Sequence, residues 1–251
     1  MKLKYLLPIL LLIVAIIATV AVSNMNNSVT GVLGMSDDIT IKAQIPETSS
    51  SVPYYKVVSE ENENEQKSGL MKVRESLPSE KEAVAIADQY LRDKGSFPED
   101  ASISNIETIT MQERDTSSGE GVVVGEYPLF VEVSYDRHIN GMPVVGPGDS
   151  ITVSLGDDGE VIYYAKYWRK LEQVGNVEVI SGDKAIGKLN RGETIVQEAG
   201  YGGSIEINNI ELGYFSNGAG DEQEFYEPVW IFRGVDSYGY NVTKVVKGVA
   251  E

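Results

Sequence analysis

Apolar residues recur at helical spacing between Leu77 and Gly95, in the segment LPSEKEAVAIADQYLRDKG, and predict an α-helix. Ser79 and Glu82 have the spacing of a capping box, which satisfies the first free backbone N–H groups of a helix. Gly95 tolerates the positive φ that commonly ends a helix, so the helix should stop there. The predicted buried stripe carries Ala83, Ile86, Ala87, Tyr90 and Leu91.

Apolar and polar residues then alternate in LFVEVSYDRHI, residues 129–139, which predicts a β-strand with one buried face. Asn140-Gly141 comes next, a pair that favours a two-residue hairpin turn because both residues tolerate positive φ. The apolar side of the strand carries Val131, Val133, Tyr135 and Ile139, and the polar side carries Glu132, Ser134, Asp136 and His138.

Extended chain resumes in MPVVGPGDSITVSL, residues 142–155, where Pro and Gly residues mark a bulge or bend. Asp158-Gly159 is a second turn signal. The segment EVIYYAKYWRKL, residues 160–171, follows as a third strand. This part of the chain is therefore predicted as one helix followed by a meander of antiparallel strands.

A capped helix followed by strands recurs, more weakly, in the C-terminal part of the chain. In ISGDKAIGKL, Ser181 is the candidate cap and Ala185 lies four residues on, as in the first helix. Three strand-like segments follow, at residues 203–215, 225–235 and 240–249. The sequence therefore predicts an α+β fold of two helix-on-antiparallel-sheet modules, one over residues 77–172 and one over residues 178–251.

The N-terminal residues 5–22, YLLPILLLIVAIIATVAV, carry no charge and are long enough to cross a bilayer as a helix. Lys2 and Lys4 precede them and should stay in the cytoplasm, which places the rest of the chain outside. Two interpretations of residues 1–23 remain open, an uncleaved signal anchor and a cleaved signal peptide. The expected localisation is the cell membrane, single-pass with the C-terminal bulk extracytoplasmic, or secreted if the signal is cleaved.

Residues 24–76 are rich in Ser, Thr, Asn and Glu and include SEENENEQKSG, which has little apolar surface to bury. We predict a flexible acidic tether here. It is interrupted by a short strand over VPYYKVV, residues 52–58, which can pair with the sheet of the first module.

The chain of 251 residues has a net charge of -17, from 38 acidic and 21 basic residues. Such a surface repels nucleic acid and anionic lipid and attracts cations or basic partners. Cysteine is absent and there is one histidine, which excludes disulfides, thiolate ligands and the usual zinc ligand sets. We expect no cofactor, no metal centre and no nucleic-acid partner.

The stretch DRHINGMPVVGPGD, residues 136–149, is the part of the sequence that most resembles a ligand-binding loop. It is not a phosphate-binding loop, because Pro147 and Gly148 follow Gly146 where a lysine and a hydroxyl are needed. His138 is interpreted as an exposed strand residue, since no G-x-S-x-G motif supports a Ser–His–Asp triad. The residues assigned to architecture are Asn140, Gly141, Pro143 and Gly146.

The segment GDDGE, residues 156–160, places three carboxylates in five residues and offers the oxygens that calcium prefers. However, it lacks the spacing and the final glutamate of a twelve-residue calcium loop. Asp158 and Gly159 are therefore interpreted as a hairpin turn. Two N-x-[ST] triplets, at Asn26 and Asn241, are candidate glycosylation sites.

An aromatic set in the third strand, Tyr163, Tyr164, Tyr167 and Trp168, is the candidate binding surface. Neighbours on a strand face opposite ways, so Tyr163 and Tyr167 share one face and Tyr164 and Trp168 share the other. One face should pack on the helix. The other is either open to a partner or covered by the second module or the tether. Trp230 is expected in the core.

The segment VSYDRHINGMPVVGPGDSITVSLGDDGEV, residues 133–161, resembles the propeptide module of thermolysin- and fungalysin-type metalloproteases. The second module resembles a PepSY domain through ISGDKAI, ELGYF and YEPVWIFRG. The order of the two modules resembles that of membrane-anchored extracytoplasmic regulators that restrain sensor histidine kinases in Gram-positive bacteria. The positions that carry the first resemblance are Tyr135, Asn140, Gly141, Pro143, Val144, Gly146, Asp158, Gly159 and Val161.

The resemblance implies a non-enzymatic, membrane-tethered binding or regulatory protein that acts on a protease or a sensor kinase. Its sheet faces or edges would hold a protein or peptide partner outside the membrane. Two alternatives stay open. One is a carboxylate-based hydrolase such as a glycosidase, which needs two placed Asp or Glu residues. The other is a structural surface protein of the cell envelope.

Overall fold

The computed structural model of the chain describes residues 38–117, 121–197 and 203–250. These residues contain twelve strands and two α-helices. In chain order the elements are β1 (Asp38–Ile41), β2 (Ser51–Gln66), α1 (Glu80–Asp93), β3 (Ala101–Asp115), β4 (Val122–Ile139), β5 (Met142–Val145), β6 (Ser150–Leu155), β7 (Val161–Glu178), α2 (Gly182–Asn190), β8 (Val196–Gln197), β9 (Ser204–Phe215), β10 (Phe225–Tyr226), β11 (Pro228–Asp236) and β12 (Asn241–Lys247).

The strands form one curled sheet in the order β10-β2-β7-β6-β4-β5-β9-β11-β12-β8. Two more strands lie off this path, since β1 pairs with β9 and β3 pairs with β4. Most neighbours are antiparallel, but β1 and β5 both pair with β9 in parallel. The sheet is therefore mixed, and it curls into a half-barrel.

The predicted fold class, two PepSY-like helix-on-antiparallel-sheet modules, is wrong. The two predicted modules are instead joined, because Val144 and Val145 of β5 pair with Tyr214 and Phe215 of β9. Strand β2 makes a second link by pairing with both β7 and β10. A buried apolar cluster sits at this join and consists of Tyr55, Ile139, Val144, Tyr214 and Tyr226.

Helix α1 begins and ends as its sequence predicts. The Ser79 side chain accepts a hydrogen bond from the Glu82 backbone N–H, and the Glu82 carboxylate accepts one from the Ser79 N–H, so the capping box is confirmed. Gly95 follows the last turn with a φ of 66°. The helix buries Ala83, Ala87 and Leu91 against a core that includes Val133, Ile151, Leu155, Tyr164 and Trp168.

Helix α2 repeats this arrangement on a different part of the sheet. The Ser181 side chain accepts a hydrogen bond from the Lys184 backbone N–H, which confirms the predicted cap. Ala185 and Leu189 pack in a core with Trp230, which is fully buried as expected. The indole of Trp230 donates to the Ile180 carbonyl at 3.0 Å, so its one polar atom is satisfied.

Strand β2 is much longer than the predicted strand over residues 52–58, because the acidic run SEENENEQ belongs to it. Its Glu61, Glu63 and Glu65 point to the side of the sheet that α1 covers. Glu61 accepts from Lys166 at 2.7 Å, and Glu65 accepts from Lys94 at 2.7 Å and from Tyr90 at 2.9 Å. Every second residue of this acidic run is thus a carboxylate that accepts hydrogen bonds from cations or hydroxyls distant in the sequence. These polar contacts stabilise the strand although it has few apolar residues.

The predicted apolar span at residues 5–22 and the candidate site Asn26 lie outside the described residues. Among residues 38–117, 121–197 and 203–250, neither helix is long and apolar enough to cross a membrane. The larger part of the predicted tether, from residue 38 onward, includes β1 and β2.

Candidate functional site

The pleat of β7 divides the four candidate aromatic residues into two pairs. Tyr164 and Trp168 lie in the core under α1 and expose 0% and 6% of their surface. Tyr163 and Tyr167 are half-buried on the opposite face. This division of the four residues between the two faces of the strand is the one that alternation predicts. Only Tyr163 and Tyr167 are therefore placed to meet a partner.

Polar and small side chains surround Tyr163 and Tyr167 across five strands. Cross-strand partners of an antiparallel sheet share a face, so the register identifies the neighbours. We call this surface the open face. It consists of Asn62, Asn64 and Gln66 of β2, Tyr163, Ala165 and Tyr167 of β7, Ser150, Thr152 and Ser154 of β6, Glu132, Ser134 and Asp136 of β4, and Ser102, Asn105 and Glu107 of β3. Two of these residues, Ala165 and Ser154, are buried.

Glu132 lies near the middle of the open face, in the strand opposite Glu107. Burial raises the pKa of Glu132, the Ser154 hydroxyl lowers it by donating at 3.4 Å, and the Glu107 carboxylate raises it. Burial also raises the pKa of Tyr163, with a smaller contribution from Tyr167. The open face thus presents acceptor oxygens, two aromatic rings and a pair of like charges, Glu107 and Glu132.

A buried polar cluster lies where the two parts of the sheet join, and sequence reasoning missed it. Arg137 and Arg169 expose 7% and 4% of their side chains, and the Asp149 side chain is completely buried. Asp149 accepts from the Arg169 backbone N–H at 2.8 Å and from the Tyr226 hydroxyl, and it lies 3.6 Å from the guanidinium of Arg137. The available signal was Arg137, which occupies an apolar position in the alternation of β4.

Arg169 holds the segment 216–223 against β7. Its Nε donates to Glu60 at 2.7 Å, and its Nη1 donates to the Ser216 hydroxyl and the Asn217 carbonyl, each at 2.8 Å. Its Nη2 donates to the carbonyls of Gly218 and Asp221 at 3.1 and 3.2 Å. One guanidinium therefore satisfies several acceptors of an irregular segment, a role that suits its planar fork of donors.

The residues predicted to have a structural role lie in turns or, for Gly146, at a point where two backbone segments approach closely. Asn140 and Gly141 have φ values of 51° and 78° and join β4 to β5 in a two-residue turn. Asp158 and Gly159 have φ values of 54° and 77° between β6 and β7. Gly146 has a φ of 106°, and a Cβ there would clash with the Ser216 carbonyl.

Two other predicted site residues have local partners. His138 is exposed, and its Nδ1 lies 2.8 Å from the Ser102 hydroxyl. Asp157 of GDDGE accepts from the backbone N–H groups of Glu75 and Ser76, each at 3.2 Å. These backbone hydrogen bonds, with Lys72 nearby, lower the pKa of Asp157. Asp157 of GDDGE thus holds the segment that precedes α1 in place through hydrogen bonds.

The remaining surface carries the predicted glycosylation site Asn241 and a cavity. Asn241 is exposed at the start of β12. Within the described part of the chain, no group of three or more His, Asp or Glu side chains is arranged to hold a metal ion. A cavity of about 400 Å³ is lined by Ile195, Phe215, Asn217, Gln223, Glu224, Phe225, Glu227 and Lys247.

Comparison with known proteins gives little further information. No family model matches the chain. No curated protein matches it either. Among solved structures, the chain is similar to an uncharacterized protein from Eubacterium rectale, with 11% sequence identity and a TM-score of 0.39 over 85% of this chain and 88% of the other.

Proposed function

We propose that the protein is a non-enzymatic binding protein that acts outside the membrane and holds a partner protein against the open face. The observation that carries this proposal is the placement of Tyr163 and Tyr167. They lie half-buried among hydroxyl, amide and carboxylate groups rather than under a helix. Tyrosines in polar surroundings are enriched at protein interfaces, because the ring contributes contact area and the hydroxyl contributes a hydrogen bond.

The charge of the molecule supports a partner with a basic contact surface. The chain carries -17 in total, and the open face contributes Glu107, Glu132 and Asp136. Complementary charge would speed association and exclude acidic partners. The uncharged residues 5–22 would hold the protein at the membrane beside such a partner. A protease or the external domain of a sensor kinase is the partner class that the sequence resemblance suggests.

The test is capture of the partner from native membranes by mild crosslinking and mass spectrometry. The double variant Tyr163→Ala/Tyr167→Ala should bind the captured protein at least about tenfold more weakly, because interface tyrosines often act as hot spots. The control variant Tyr238→Ala/Tyr240→Ala removes two exposed tyrosines from the turn between β11 and β12, away from the open face. Equal loss in both variants, or loss in neither, would contradict the proposal.

A carboxylate-based hydrolase is the second candidate, and it is supported by the Glu132–Glu107 pair. Burial favours the protonated form of Glu132, as a general acid requires, and its cross-strand neighbour offers a second carboxyl group. Glu132→Gln should then abolish hydrolysis of a panel of oligosaccharides, while Glu47→Gln, an exposed glutamate elsewhere, should not. Absence of any hydrolysis by the wild-type chain would leave the binding role as the better explanation.

A further inference from the structure

We propose that the outer edge of β3 takes up an extended, basic segment of a partner protein by strand addition. This proposal rests on the binding role proposed above and names the edge and the chemistry of the ligand. Strand β3 spans Ala101–Asp115, and β4 is its partner within the described residues. The edge of β3 that faces away from β4 therefore presents backbone N–H and C=O groups to an incoming strand.

The length and composition of β3 make this edge suitable for strand addition. Its 15 residues extend for roughly 50 Å at the usual rise of a strand. Edge strands are commonly protected by prolines, lysines or short length, and β3 has none of these. Register shifts interrupt its pairing with β4 near Ile103, Ile109 and Glu113. The five residues from Asn105 to Ile109 form the longest run in unbroken register with β4, and we expect a partner strand to dock there.

Charge on and beside β3 favours a basic partner strand. The strand carries Glu107, Glu113 and Asp115 against one cation, Arg114. Glu107 also lies directly opposite Glu132, and like charges at such positions repel each other. A lysine or arginine on an added strand would lie beside Glu107 and relieve this repulsion. A second copy of the chain would bring further acidic side chains to the same place.

Apolar side chains beside this edge can contact alternate residues of the added strand. Ile103 and Met111 of β3 expose 43% and 39% of their surface. An extended segment that alternates basic and apolar residues therefore matches the acidic and apolar groups that this part of the sheet presents.

The first experiment measures binding of three nine-residue peptides to the purified full chain by fluorescence anisotropy. The probe alternates lysine and valine, the second peptide has the same sequence with every backbone amide N-methylated, and the third replaces lysine with glutamate. N-methylation removes backbone donors and keeps the charge, so it should weaken binding at least about tenfold if strand addition occurs. The glutamate peptide should not bind. Equal binding of the first two peptides would overturn the proposal.

Variants of the chain locate the binding site. Glu107→Lys should weaken binding of the lysine–valine peptide at least about tenfold, whereas Glu47→Lys makes the same change of charge elsewhere and should have a small effect. Hydrogen exchange should show new protection at alternate amides of residues 105–109 when the peptide is bound. Loss on Tyr163→Ala/Tyr167→Ala without loss on Glu107→Lys would overturn the edge proposal and leave the proposed function standing. Loss on Glu107→Lys alone would support the edge proposal and count against contact of the partner with Tyr163 and Tyr167.

Discussion

Replacement of Arg169 by methionine tests whether the buried polar cluster holds segment 216–223 in place. Methionine keeps most of the side-chain length and removes every donor of the guanidinium. The change leaves Glu60 without its ion pair at 2.7 Å and frees the acceptors of Ser216, Asn217, Gly218 and Asp221. Since Arg169 is 4% exposed, water cannot readily replace these bonds in the folded state.

The expected loss is about 3–5 kcal/mol in the free energy of unfolding, because the buried Ser216 hydroxyl and several carbonyls lose their donor, at about 1–3 kcal/mol for each buried group left unsatisfied. The individual hydrogen bonds are not additive, so this figure is below their simple sum. For a domain of this size the melting temperature should fall by roughly 6–20 °C. Arg169→Lys should lose less, because the ammonium keeps the charge but cannot reach acceptors in so many directions.

Urea denaturation followed by circular dichroism measures this loss, and limited proteolysis shows where the chain opens. Cleavage of Arg169→Met should be faster within residues 218–222, which carry the exposed residues Ala219, Gly220, Asp221 and Glu222. Lys170→Met is the matched control, because Lys170 is the adjacent cation and is exposed. A loss below about 1 kcal/mol for Arg169→Met, or equal losses for the two variants, would refute the reasoning.

Three further variants test other parts of the structure. Tyr226→Phe should cost about 1–3 kcal/mol in urea denaturation, since the buried Asp149 carboxylate loses a donor. Ser79→Ala should lower the free energy of unfolding by about 1 kcal/mol, because it removes the cap of α1. Ser79→Gln should not recover this stability. Burial raises the pKa of Glu132 above its ordinary 4.5. The protonated side chain therefore contributes stability that is fully present below pH 4.5 and is lost as pH rises through the raised pKa. Glu132→Gln should therefore gain stability relative to wild type as pH rises above 4.5, and parallel stability curves would contradict this assignment.

Helix boundaries and turns could be predicted from the sequence because they depend on residues close in the chain. Ser79 and Glu82 are three positions apart and satisfy each other's backbone groups without help from the rest of the molecule. Asn140 and Gly141 likewise adopt positive φ through their own conformational preferences. Local chemistry of this kind acts before any tertiary contact forms.

The strand β3 was missed because its pairing with β4 is irregular. Bulges near Ile103 and Ile109 shift the register, so the apolar residues Ile103, Ile106 and Ile109 recur every three positions rather than every two. The acidic half of β2 was misjudged for a different reason. Its glutamates are neutralised by Lys94 and by Lys166, which is 105 positions away from Glu61 in the sequence.

The candidate site could be predicted in part. Strand alternation separates Tyr163 and Tyr167 from Tyr164 and Trp168 without any structure. Which of the two faces packs under α1, and which small polar residues surround the remaining tyrosines, depends on the order of strands in the sheet. That order is a property of pairing between distant segments, which periodicity within one segment does not encode.

The sequence by itself determined where most helices, strands and turns lie, because capping, positive φ and alternation are local properties. Only the tertiary structure decided that the two strand groups form a single curled sheet. That join depends on the parallel pairing of β5 with β9 and on the burial of Arg137, Asp149 and Arg169 beside it. A charged residue becomes a core residue only when distant partners satisfy it, and the free energy of that arrangement exists only in the folded molecule.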